Sequence, residues 1–270
     1  MIERNMNFLS EIISRKQQQV TLAKQATPIS QMRDLAQESR TGARKNALRA
    51  ALAEKNRINI IAEFKRRSPS KGVIRAGADP VEIAKQYVAG GAVAISVLTE
   101  ENYFDGSLSD LRSIRSEVHV PILRKDFIFD EYQVYEAAAA GADAILLIVA
   151  AVEDTPLRQL REVIEVELGM DALVEVHDEH ELQRAATSGA TLIGVNNRDL
   201  ITFEVSLDTS LGIIDKVPAG ALVISESGLK TASDLRQLHR VGYNGFLIGE
   251  SLMRAASPKE ALLALLENSQ

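Results

Sequence analysis

The chain is 270 residues long with a formal net charge of -6, and no cationic run exceeds Lys65-Arg66-Arg67, so it carries no electrostatic footprint for nucleic acid or an anionic membrane surface. It contains no cysteine, which excludes disulfides, thiolate nucleophiles and cysteine-based zinc sites. The first residues hold no apolar signal core, and the most apolar stretch, 144–152, is far short of the ~20 residues of a membrane span, so a cytoplasmic protein is expected.

Residues 1–57 precede the first strand and read as a helical extension, with helices over 6–18 and 43–55 joined by a polar segment containing Pro28. Such an extension either caps one end of the domain or contributes to an interface. The first strand, 58–66, is the most informative stretch. Alternation puts Glu63 and Lys65 on one face with Ile61, and Ala62 and Phe64 on the other. Burying either charge alone is costly, so the two form a compensated pair, sit at a solvated pocket mouth, or do chemistry.

From there a pattern repeats, in which a helix ends at glycine and a strand follows at once. It begins at Gly90-Gly91-Ala92-Val93, Gly141-Ala142-Asp143-Ala144, Gly189-Ala190-Thr191-Leu192 and Gly242-Tyr243-Asn244-Gly245. Four more strands, 58–66, 120–127, 172–177 and 221–227, interleave with these, and helical patterns such as 80–89, 131–140, 155–168 and 233–240 separate them. Strict alternation of strand and helix demands parallel strands. Eight such units at this length close into an α/β fold, a (β/α)8 TIM barrel with an N-terminal helical extension, and residues 1–270 form a single domain. An open doubly wound sheet is the alternative, and it lacks the Gly-x-Gly-x-x-Gly that would follow its first strand.

In a barrel of this kind the active site forms where the strands end. The sequence places there Glu63, Lys65 and Ser68 after strand 1, Lys125 after strand 3 and Glu175 on strand 5. Strand 6 adds Asn196 and Arg198, strand 7 adds Glu226, Ser227 and Gly228, and strand 8 adds Gly249. Lys125 shares a face with Leu123 and Phe127, an apolar setting expected to lower a lysine pKa and to make it an acid or a Schiff-base amine. Pairing with a neighbouring carboxylate is the plainer alternative. The small residues around Ser227-Gly228 and Gly249, beside helix starts, suit a phosphorylated substrate, with Ser68 as a hydroxyl donor and Arg198 or Lys65 as a positive charge. Tight packing of turns explains the same glycines without a ligand. His119, His177, His180 and His239 make no ligand set of convincing spacing, and 177–180 reads as a loop entering a helix, so no metal is expected.

Five stretches together carry a resemblance. They are Ile61-Ala62-Glu63-Phe64-Lys65-Arg66-Arg67-Ser68-Pro69-Ser70-Lys71-Gly72, Ser96-Val97-Leu98-Thr99-Glu100-Glu101-Asn102-Tyr103-Phe104, Leu123-Arg124-Lys125-Asp126-Phe127, Gly194-Val195-Asn196-Asn197-Arg198-Asp199-Leu200 and Ser225-Glu226-Ser227-Gly228. In this order over one barrel they resemble the indole-3-glycerol-phosphate synthase family. The resemblance implies a carboxy-lyase of tryptophan biosynthesis that works without a cofactor. Its reaction closes the ring of 1-(2-carboxyphenylamino)-1-deoxyribulose 5-phosphate, giving indole-3-glycerol phosphate, carbon dioxide and water.

By the same resemblance Lys125 is the general acid on the sugar carbonyl, and Lys65 pairs with the anthranilate carboxylate or acts in the dehydration. Glu63 tunes Lys65, and Glu175 is the base, assisted by Asn196. Phe104, Phe127, Leu146 and Leu200 match ring-binding positions, while Ser68, Ser227, Gly228, Gly249 and Glu250 match phosphate contacts. Glu250 is expected to use its backbone N–H, with its carboxylate turned away. Arg198 is expected to clamp the phosphate side or brace the carboxylates, and Glu226 is expected to contact the substrate. The implied partner is a small phosphorylated substrate, and monomer and homodimer are both open. Two rivals stand beside this reading: a Schiff-base aldolase with Lys125 as nucleophile, and an inactive barrel kept as a binding partner.

Overall fold

A computed structural model describes residues 2–54, 56–200 and 202–267, and in it eight parallel strands close into a barrel. They are β1 (Ile60–Phe64), β2 (Ala94–Leu98), β3 (Ile122–Lys125), β4 (Ala144–Ile148), β5 (Asp171–Val176), β6 (Leu192–Asn196), β7 (Leu222–Glu226) and β8 (Gly245–Ile248). Each strand pairs with its neighbours in sequence, and β8 closes on β1. All eight expected strands are present, several of them starting later than expected. The excess lies in the turns between helix and strand, where Gly141 (φ 91) and Gly189 (φ 84) adopt the left-handed conformation that ends a helix.

Alternation sorts the strand side chains into two layers. Ile61, Leu123, Leu146, Leu173, Ile224 and Leu247 fill the barrel interior, whereas Ile60, Ala62, Phe64, Ile95 and Val97 pack outward under the helices. The outer helices begin at side-chain caps. Asp79 caps Pro80–Ala89 by accepting from Val81 N at 2.8 Å, and Asp130 and Thr231 each form a capping box.

The extension comprises α1 (Ile2–Ala26), α2 (Ile29–Arg40) and α3 (Ala47–Leu52), which corrects the expected pair of helices. The segment around Pro28 is not a linker. Proline disfavours a helical residue before it, which ends α1, and its own fixed φ starts α2, whose Met32 and Ala36 bury against helix Glu131–Ala139. The helix expected over 43–55 shrinks because Asn46 sits in the left-handed region (φ 49) and donates its N–H to the Gly169 carbonyl at 3.1 Å; Lys55 lies outside the described residues.

Both ends of the barrel meet this extension. Leu48 and Leu52 of α3 are fully buried in the interior layer, where Asp171 at the start of β5 accepts from Leu48 N (2.9 Å) and Arg49 N (3.1 Å). At the opposite end α1 brings Lys16 to Asp126 at 2.8 Å, just past β3, and Leu9 to the mouth.

Candidate active site

A cavity of about 790 Å³ opens where the strands end, and every residue singled out from the sequence lines it: Glu63, Lys65, Ser68, Phe104, Lys125, Phe127, Leu146, Glu175, Asn196, Arg198, Leu200, Glu226, Ser227, Gly228, Gly249 and Glu250. Side chains inside such barrels stack in layers of four drawn from alternate strands. Here the odd strands β1, β3, β5 and β7 contribute Glu63, Lys125, Glu175 and Glu226, so the layer beneath the mouth is built of titratable groups. The even strands make room for them. A Cβ on Gly194 of β6 would lie 2.2 Å from Glu226 Oε1, and one on Gly249 after β8 would lie 2.2 Å from Glu63 Oε1.

Lys125 Nζ is 2.9 Å from Glu175 Oε2 and 3.1 Å from Glu226 Oε2. This corrects the expectation of a lowered pKa. Burial does pull the Lys125 pKa down, but the carboxylates of Glu175, Glu226 and Glu63 outweigh it and hold the pKa above the ordinary lysine value. Lys125 is an ammonium at neutral pH.

The two carboxylates flanking it are driven apart. Burial pushes Glu175 up, but Lys125 and His177 overcome that and hold it below the usual carboxylate range. Burial pushes Glu226 up to about 7, with Lys125 pulling down and Glu175 and Glu63 repelling its charge. Its Oε1 finds no hydrogen-bond partner among the described residues. Lys65 ion-pairs with Glu63, as the strand alternation suggested.

The rest of the cavity divides into an apolar and a polar end. Phe104 and Phe127 face each other with ring centroids 6.5 Å apart and planes tilted by 42°, near Leu98, Leu146, Ile148 and Leu200. At the polar end Ser68 Oγ is buried without a hydrogen-bond partner among the described residues, and Ser227 holds the left-handed conformation (φ 65) before Gly228. A non-glycine residue there is strained, which is common at ligand clamps. The Glu250 side chain accepts from Arg254 Nε at 3.2 Å, so it is engaged along its own helix. Arg198 lines the cavity; its guanidinium donates to the Phe203 carbonyl at 3.1 Å, and its backbone N–H donates to Asn196 Oδ1 at 3.1 Å.

Asn197, His177 and Leu9 are among the contributors that escaped the sequence reading. Asn197 is buried and ties β6 to the end of β7: its Nδ2 donates to Ser225 Oγ (2.9 Å) and to the carbonyls of Glu226 (3.0 Å) and Ser227 (3.1 Å). Nothing in its outward-facing position marked it. His177 stands with Nε2 3.3 Å from Glu175 Oε1, an ion-pair distance out of hydrogen-bond alignment. Its signal was present, since the two-residue period puts it on the face of Glu175. The expected helix start after it is real, with Asp178 capping Glu179–Thr187. Leu9 reaches the mouth from α1, and its place depends wholly on tertiary packing.

The barrel is shared with a thiamine phosphate pyrophosphorylase from Pyrococcus furiosus (TM-score 0.59, 17% identity, 80% of this chain and 96% of that one). It is shared as well with 3-hexulose-6-phosphate synthase from Salmonella typhimurium (TM-score 0.60, 13% identity, 79% and 100%). At those identities the likeness concerns the fold alone. Sequence relatives are much nearer. The indole-3-glycerol phosphate synthase of Carboxydothermus hydrogenoformans is 46% identical over 96% of this chain and 99% of its own length. The enzyme of that name from Chromobacterium violaceum is 46% identical over 96% and 97%. The family model described as indole-3-glycerol phosphate synthase matches residues 9–265, from α1 through all eight strands. With the match continuous from the extension to the last helix, the chain belongs to the indole-3-glycerol phosphate synthase family.

Proposed function

We propose that the chain is an indole-3-glycerol phosphate synthase, a carboxy-lyase that turns 1-(2-carboxyphenylamino)-1-deoxyribulose 5-phosphate into indole-3-glycerol phosphate, carbon dioxide and water. One observation carries the assignment of roles: a buried ammonium, Lys125, held 2.9 and 3.1 Å from two carboxylates, in a cavity that is aromatic at one end and rich in hydroxyls and glycine at the other.

Ring closure needs a proton on the sugar ketone oxygen as the ring carbon bearing the carboxylate attacks the ketone carbon. Lys125 supplies it, because its neighbours keep it protonated. The carbon–carboxylate bond then breaks, its electron pair returns to the ring, and carbon dioxide departs. In the dehydration that follows, Lys65 gives a proton to the departing hydroxyl, which leaves as water, while Glu175 takes a proton from the adjacent atom. A base must be ionised to act, and Glu175 is held so by Lys125 and His177. Glu226, poised near neutrality with one unpartnered oxygen, exchanges a hydrogen bond with a substrate hydroxyl.

Lys65 receives the anthranilate carboxylate, oriented by Glu63. Phe104, Phe127, Leu146 and Leu200 enclose the ring, and Ser68 with the backbone of Ser227, Gly228, Gly249 and Glu250 holds the phosphate. The Schiff-base alternative is disfavoured on physical grounds, since a nucleophilic amine must be neutral and Lys125 is pushed the other way. No helix among the described residues is long and apolar enough to cross a membrane, which accords with a proposed cytoplasmic site of action.

The test is the appearance of indole fluorescence when purified protein meets the substrate, unobscured because the chain has no tryptophan. A saturable rise is expected. Tight binding without a rise means an inactive barrel, and absence of binding points to another phosphorylated sugar.

A further inference from the structure

We infer that His177 is a positioning residue for the reaction: gripped by Glu181, its ring holds the Glu175 carboxylate toward Lys125. The inference rests on the reading of Glu175 as the base. The geometry is a relay of side chains. Glu175 Oε2 faces Lys125 Nζ at 2.9 Å while its other oxygen faces His177 Nε2 at 3.3 Å, so the carboxylate is held from both sides. The far ring nitrogen, Nδ1, is 2.9 Å from Glu181 Oε2, and that same oxygen accepts the His177 backbone N–H at 2.8 Å. Glu181 therefore fixes both the backbone and the ring. Its own backbone N–H donates to Asp178 Oδ1 at 2.8 Å, anchoring the clamp to the first turn of the helix.

The chemistry of imidazole explains why histidine suits this place. A neutral ring donates from one nitrogen, whereas here a carboxylate faces each, an environment that only the doubly protonated ring matches. Burial opposes that charge, but Glu175 and Glu181 override it and raise the His177 pKa to about 10.

Other charged groups on adjoining elements have partners of their own. Lys125 of β3 stands across Glu175 and beside Glu226 of β7. Arg184, on the helix of Glu181, is taken by Asp154 at 2.7 Å and by the carbonyls of Val149 and Val152. Arg198, after β6, is taken by the Phe203 carbonyl. Glu175 thus lies between two cations, one that meets the substrate and one that does not.

The experiment measures kcat, KM and the pH profile of kcat/KM for His177→Leu, His177→Gln and Glu175→Gln beside the unaltered protein, with thermal melting to establish folding. His177→Leu is expected to lower kcat on the order of ten- to a hundredfold, the cost of a misaimed reacting group, with KM little changed. Its acidic limb should move to higher pH, because Glu175 loses a cation. His177→Gln, which keeps an amide donor, is expected to restore part of kcat, and it also serves if the leucine variant does not fold. Folded His177 variants with wild-type kcat and an unmoved acidic limb, alongside an inactive Glu175→Gln, would overturn the positioning role alone. A Glu175→Gln variant with wild-type turnover would instead overturn the reading of Glu175 as base, and the inference with it.

Discussion

Lys125 has to remain protonated inside a barrel, and the carboxylates of Glu175 and Glu226 keep it so. Its replacement, Lys125→Ala, is expected to reduce kcat by about 10²- to 10⁴-fold while a substrate analogue still binds, as measured by single-turnover kinetics and titration. Near-normal turnover would remove Lys125 as the acid. Gly194 sets a second requirement. Gly194→Ala would put a methyl 2.2 Å from Glu226 Oε1 and displace that carboxylate, so kcat should fall severalfold or more although Gly194 is not among the residues lining the cavity. Strand alternation made Glu63, Lys65, Lys125 and Glu175 legible as a group from sequence. The direction of the Lys125 pKa was not legible, because its partners stand 50 and 101 residues away and belong to other strands.

Elements were read as well as their punctuation allowed. Strands preceded by a glycine turn, and the helices at 80–89 and 233–240, were read close to their observed bounds. The extension hid its second helix, since the burial of Met32 and Ala36 is decided by helix Glu131–Ala139, about a hundred residues later. Its third helix has the clearest energetic consequence. Leu52 is fully buried at the closed end of the barrel, so Leu52→Ala should cost about 2–5 kcal/mol in chemical denaturation. The folded variant should keep its kcat, because the cavity lies at the opposite end. Loss of kcat with stability intact would mean that the two ends communicate.

For the molecule as a whole, His177 and Glu226 are among the buried groups that tilt stability toward acid. His177 is raised from 6.5 to about 10, so its contribution is fully present below about pH 6.5 and is lost as pH climbs toward 10. Glu226 is raised from 4.5 to about 7, and the preference of the folded state for its proton is lost between those values as pH rises. Glu175, lowered, works in the opposite sense, contributing above about pH 4.5 and failing as pH falls below it. Urea denaturation across pH should show stability declining from neutrality to pH 10, with a shallower decline in His177→Leu. Equal slopes would mean that His177 is not charged in the folded state.

The extension that touches both ends of the barrel also sets an order of events during synthesis. Lys16 waits for Asp126, 110 residues downstream, and Leu48 waits for Asp171, 123 residues downstream. The first helices to leave the ribosome therefore cannot make these contacts until β3 and the start of β5 have followed, because each loop must close before its contact forms. Until β5 has emerged, the apolar side chains Leu48 and Leu52 have no barrel to enter. Pulse-labelling hydrogen exchange during refolding should find the amides of α3 protected later than those of β2 to β4; earlier protection would mean that the extension folds on its own and the barrel assembles around it.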